Sequence, residues 1–95
     1  MKRQFVLIVD DDSTPGFNAT VKKLETLPGV GWCHYMKGLW QIIDISGHLT
    51  PETLRKEIQE AVPDTMVIAF EITAGSKWSG WVPEKMADWI ENNWG

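Results

Sequence analysis

The sequence contains one cysteine, Cys33, so an intramolecular disulfide is excluded. Basic charge is also scarce. Nine Lys and Arg stand against thirteen Asp and Glu, for a net charge of −4. Strong non-specific binding to nucleic acid requires clustered Lys and Arg that displace counterions from phosphates. Here the basic residues come only as short pairs, Lys2-Arg3, Lys22-Lys23 and Arg55-Lys56, which read as solvated surface. Apolar runs are short as well, and none approaches the ~18 residues of a membrane span. Met1 to Gln4 lead into only five apolar residues, Phe5–Val9, too few for the core of a secretory signal. These shortages together point to a reducing, cytoplasmic setting. Repeats, low-complexity segments and linkers are absent too, and 95 residues make one domain, 1–95. A chain of this size buries roughly 60–65% of its unfolded surface, which disfavours an enclosed pocket for a large cofactor. What is abundant is tryptophan: six in all, with Trp78, Trp81, Trp89 and Trp94 close to the C-terminus.

Phe5-Val-Leu-Ile-Val9 is β-branched, apolar on both faces and too short for a helix, so it reads as a central strand. Asp10 to Gly16 are loop residues. Phe17, Val21, Leu24 and Leu27 then recur at helical spacing, and Leu27-Pro28-Gly29 stops that helix. Trp32–Lys37 and Leu39–Ser46 read as two strands joined at Lys37-Gly38, and no helical period occurs between Val30 and Ser46. Thr50-Pro51 is an N-cap followed by a favoured first helical residue, with Leu49 and Leu54 placed as a hydrophobic staple. Met66–Ile72 reads as the last strand, Ala74–Gly80 as a Gly/Ser loop, and Pro83 opens a final helix, 83–94. The order β-α-β-β-α-β is the split βαβ pattern, so we expect an α+β, ferredoxin-like sandwich: a four-stranded antiparallel sheet plus an additional C-terminal helix. Right-handed crossovers put the first and third strands in its centre. The third strand offers Leu39, Gln41, Ile43 and Ile45 on one side, with Trp40 and Ile42 on the other, so both sheet faces are apolar. The face away from the two crossover helices needs a cover, either the Trp-rich last helix or a second subunit.

Val6-Leu-Ile-Val-Asp-Asp-Asp12 resembles the opening of a bacterial receiver domain, where acidic residues after the first strand hold Mg²⁺. A receiver, however, is a longer, doubly wound parallel sheet with a helix where Val30–Ser46 has none. Asp44, the sole candidate phospho-acceptor, follows the triplet too soon. As a turn, the triplet needs no ligand, because Asp side chains accept backbone N–H bonds.

A longer resemblance runs through Val9-Asp10, Leu39-Trp-Gln-Ile42, Leu49-Thr-Pro-Glu52 and Lys77-Trp-Ser-Gly-Trp81. In order and spacing these landmarks resemble the small SinR-family proteins and the Cas-two-like group of CRISPR-associated and toxin-like proteins. The resemblance implies a ferredoxin-like homodimer. In nuclease members an Asp at the end of the first strand binds a divalent metal, which implies Asp10 as metal ligand and catalytic residue, with Mg or Mn. Asp11 and Asp12 match nothing in that pattern. The Arg-rich hairpin of the CRISPR-associated members is missing, and the chain is acidic.

His34, His48 and Cys33 show no metal-ligand spacing and read as packed or surface side chains, Cys33 as a small buried thiol. Gly75 to Gly80 lacks the spacing of a P-loop, yet Lys77 and Trp78 could contact a ligand, an anion or a partner. No catalytic set is complete. We therefore expect a small dimeric interaction or regulatory protein in a phage, toxin or defence setting, without catalysis and without a resident cofactor. The alternatives are a metal-dependent endonuclease using Asp10, and a small-ligand or anion binder using the Trp78 loop.

Overall fold

The computed structural model describes residues 1–94. It holds β1 (Arg3–Val9), α1 (Thr14–Thr26), β2 (Val30–Met36), β3 (Leu39–Asp44), α2 (Pro51–Ala61), β4 (Val67–Ile72) and α3 (Glu84–Trp94). The four strands form one antiparallel sheet in the order β2-β3-β1-β4, so the fold is α+β. The apolar β1 is central, as its two-faced pattern requires. Among the described residues no helix is long and apolar enough to cross a membrane.

Strand alternation sorts the side chains into two layers. Phe5, Leu7 and Val9 of β1, with Trp40 and Ile42 of β3, meet Leu24 of α1 and Leu54 and Ile58 of α2 in the main core. Thr50 caps α2 in a reciprocal box with Thr53, and Pro51 stands in the first turn, as the sequence predicts. In α1, Leu24 of the expected stripe is buried and Val21 and Leu27 pack against the core, while Gly16 and Thr20 are buried where the periodicity predicts Phe17. Thr20 can be buried because its hydroxyl donates to the Gly16 carbonyl at 2.9 Å. Phe17 turns to the edge of the core, where its ring stacks against Trp40 with centroids 5.5 Å apart.

The opposite face is covered only in part. On the β2–β3 side, Met86 and Ile90 of α3 pack on Cys33, with Val82, Trp89 and Trp94 around them. The Trp94 indole Nε1 donates to the Ile42 carbonyl at 3.1 Å. On the β1–β4 side nothing comparable among the described residues lies over Ile8, Ile68 and Phe70, which are exposed. The last helix is therefore a half-cover.

Two local features set strand ends. Gly38 adopts φ 72° in the two-residue turn between β2 and β3, and its carbonyl accepts from the Val9 amide at 2.7 Å. The β2–β3 register shifts between Cys33 and Met36, a bulge that the loose alternation of Trp32–Lys37 reflects. β3 stops at Asp44 rather than Ser46, and Ile45 points to solvent. Asp44 is fully buried and its carboxylate accepts from the Ser46 amide (3.0 Å), the Ser46 hydroxyl (2.5 Å) and the Leu49 amide (2.8 Å). The residue considered as a phospho-acceptor is thus a buried tie between β3 and the start of α2.

Candidate functional site

The acidic triplet follows the end of β1, and its three side chains have different surroundings. Asp11 folds back on its own turn. Its Oδ1 accepts from the Ser13 amide at 2.9 Å and the Ser13 hydroxyl at 2.6 Å. Those bonds, the hydroxyl's first, hold its carboxyl below the usual range. Ser13 in turn caps α1 by accepting from the Gly16 amide. Asp12 lies 3.7 Å from the Lys37 ammonium in an exposed pair. Asp10 is exposed and lines a groove with Ile8, Gln59, Met66, Val67 and Ile68. Among the described residues no three His, Cys, Asp or Glu side chains are placed to hold a metal ion.

His34 lies beside Asp11 and Asp12 in a shallow pocket that Phe17, Tyr35, Lys37 and Trp40 also line. Its ring stacks on Trp40 with centroids 3.9 Å apart, and Nδ1 is 2.8 Å from the Leu39 carbonyl. A carbonyl only accepts, so Nδ1 carries the proton and a neutral His34 keeps its lone pair on Nε2. His34 is therefore a packed side chain. Cys33, the adjacent residue, faces the other layer under α3, where burial pushes its thiol up.

The exposed apolar face of β1 and β4 is the larger surface feature. Ile8, Met66, Ile68 and Phe70 are 38%, 74%, 49% and 51% exposed. At ~200 Å² for a fully exposed large apolar residue, they present on the order of 400 Å², within the ~300–600 Å² of a typical monomer's largest patch, which is often functional. Ile68 and Phe70 belong to β4, which pairs with β1 on one side and, among the described residues, leaves its other edge free. A single hydrophobicity pattern could not reveal this, because the same alternation would fit a strand covered by α3.

Lys77 and Trp78 lie apart from the triplet, in the loop after β4. That loop turns at Gly75 (φ 80°), and Ser76 closes it by donating its amide (3.0 Å) and its hydroxyl (2.6 Å) to the Thr73 carbonyl. Both residues line a cleft of about 500 Å³ between the loop, the start of β1 and α3, with Gln4, Ile72, Ile90, Glu91 and Trp94. Trp81 is fully exposed. Gln4 was not among the residues singled out from the sequence, since a lone Gln at the start of an apolar strand carries no motif.

No protein-family model, curated protein or solved structure matches this chain.

Proposed function

We propose that this chain is a ferredoxin-like interaction module of the SinR and Cas-two-like kind, working as a homodimer in a reducing compartment. Counted from the β4 edge, the strand order is 4-1-3-2, the order that two right-handed split βαβ crossovers generate, and this supports the fold part of the proposal. The unpaired, buried Cys33 fits the compartment.

One observation carries the dimer: β4 is a smooth, six-residue edge strand with an exposed apolar face. Natural sheets blunt their free edges with Lys, Pro or a bulge. β2, the other edge, has its bulge. β4 (Val67-Ile-Ala-Phe-Glu-Ile72) has neither Lys nor Pro, its one charge, Glu71, is paired with Arg3 of β1, and it pairs with β1 in unbroken register. The side chains that β1 and β4 turn to this face, Gln4, Val6, Ile8, Ile68, Phe70 and Ile72, are all uncharged. An uncharged face on an acidic chain suits a second copy of itself, since no like charges meet. Two β4 strands related by a two-fold axis can pair antiparallel and join the two apolar patches isologously.

Sedimentation at roughly 100 µM, where a dimer of micromolar Kd is nearly complete, tests this. The wild type should sediment as a dimer. Ile68→Glu and Phe70→Glu, both at half-exposed positions, should sediment as folded monomers. A monomeric wild type rejects the proposal.

A second reading, metal-dependent nuclease activity, has one observation in its favour. Asp10, just past the end of β1, is exposed and lines the groove with Ile8, Met66 and Ile68, so its carboxylate is open to a metal ion and a substrate. Cleavage of RNA or DNA that requires Mg²⁺ or Mn²⁺ and is lost in Asp10→Ala supports it, and an inert wild type rejects it.

A further inference from the structure

The second sheet face carries two buried amides in an otherwise apolar layer, Gln4 and Gln41, and the Oε1 of each has no hydrogen-bond partner among the described residues. The one in contact with a cleft is Gln4. It is 2% exposed, and its Nε2 donates to the Thr73 carbonyl at 3.3 Å. The Thr73 carbonyl can only accept, so the amide cannot be turned around, and Oε1 is left as the free acceptor. A buried amide oxygen without a donor is destabilising, and such a group asks for an explanation. Gln4 lines the cleft formed with the Trp78 loop and α3.

The rest of the lining has a matching chemistry. Trp78 and Trp94 supply indole surfaces, with Ile72 and Ile90 as further apolar walls. Trp78 is 41% exposed, while Trp94 is partly buried and held in place by its bond to the Ile42 carbonyl. Lys77 contributes an ammonium and Glu91 a carboxylate at the same cleft.

We propose that this cleft binds a mononucleotide. A base edge bearing an N–H donates to Gln4 Oε1, and the base plane packs against the indoles. Glu91 accepts from ribose hydroxyls and Lys77 meets the phosphate. About 500 Å³ lies within the ~300–1,000 Å³ range of small-molecule sites. Stacking on an aromatic side chain is sequence-tolerant, so the class is set by the planar N–H-bearing base and the anion rather than by one base. The site adjoins the Ile68–Phe70 patch through Ile72 on the same sheet face, but all its lining residues come from one chain, so it does not require dimer formation.

The test is titration of the full chain with AMP, GMP and UMP, followed by calorimetry and tryptophan fluorescence, with adenosine and inorganic phosphate as controls. At least one nucleotide should bind with a Kd below about 1 mM, a modest affinity for so open a site. Gln4→Met keeps the volume and removes the free acceptor. It should weaken binding about tenfold or more while leaving the melting temperature unchanged or higher, because no orphaned oxygen remains. Trp78→Ala, at a partly exposed loop position, should weaken binding about tenfold with the fold intact. Lys77→Ala should weaken the nucleotide and leave adenosine unaffected. The proposal is overturned if no nucleotide binds by 5 mM, if phosphate alone binds as well as the nucleotides, or if Gln4→Met and Trp78→Ala bind like the wild type. A Gln4→Met protein that melts lower would show that Gln4 serves the fold, and would also overturn it.

Discussion

Asp44→Asn should destabilise this protein by about 3 kcal/mol at neutral pH, and the loss should shrink in acid. The wild-type carboxylate accepts three hydrogen bonds, from the Ser46 amide, the Ser46 hydroxyl and the Leu49 amide. A hydrogen bond to a charged group contributes ~1.5–3 kcal/mol, and one between neutral groups ~0.5–1.5, so neutralising the acceptor weakens each by about 1 kcal/mol. The new amide also brings an N–H₂ into a ring of N–H donors. With ~4–8 °C per kcal/mol for a domain near this size, the melting temperature should fall by about 12–24 °C. The pH dependence supplies the sign. Desolvation pushes the Asp44 carboxyl up. The Ser46 hydroxyl and the Leu49, Gly47 and Ser46 amides together outweigh it, and the net shift is downward. A depressed carboxyl contributes stability that is fully present above its unfolded pKa of ~3.9 and is lost as pH falls through the folded value. Urea unfolding of both proteins should therefore give a gap that is constant above about pH 5 and narrows below about pH 4. Other depressed carboxyls, Asp11, Glu52 and Glu71, are present in both proteins and cancel in the difference. A gap under ~0.5 kcal/mol at pH 7, or one that does not change down to about pH 2.5, would refute the role assigned to Asp44.

Gly38→Ala should destabilise by about 2–3 kcal/mol in urea titrations. A left-handed backbone alone accounts for ~1–2 of that, and the added Cβ would lie 2.8 Å from the Val9 carbonyl oxygen, which belongs to the backbone and cannot swing away. Cys33 should react with Ellman's reagent at least about 100-fold more slowly in the native protein than in urea, because α3 buries it and its thiol is pushed up. Fast native labelling would mean that α3 opens readily from β2.

The sequence revealed most where one signal had one cause. Thr50-Pro51 placed the start of α2, and the two-faced Phe5–Val9 run placed β1 in the sheet's centre, because caps and double-sided burial have few competing explanations. It marks Val21, Leu24 and Leu27 of the α1 stripe but misses Gly16 and Thr20, which carry no apolar label. Gly16 is buried as bare backbone beside Asp11, and Thr20 satisfies its own hydroxyl within the helix. The alternation through Ile45 extends the third strand to Ser46, whereas Asp44 bends the chain through bonds to residues that follow it. Of the candidate site residues, Lys77 and Trp78 share one cleft, but Gln4, some seventy positions away in sequence, could join them only once the β1–β4 register was known. The half-cover by α3 was equally illegible. Periodicity shows that a face is apolar, and which half of it a helix occupies depends on how the 73–83 segment crosses the sheet.

The unequal edges of the sheet have a consequence for growth. A sheet with two open edges can add neighbours on both sides and extend without end. Here the bulge in β2 spoils one side, and β4 alone offers a straight ladder of amides and carbonyls. If two such strands pair as we propose, each uses its single open side, and eight strands complete the object. Removing the bulge, or flattening β2 by substitution, would then leave each copy two open sides and make it a unit able to form fibres.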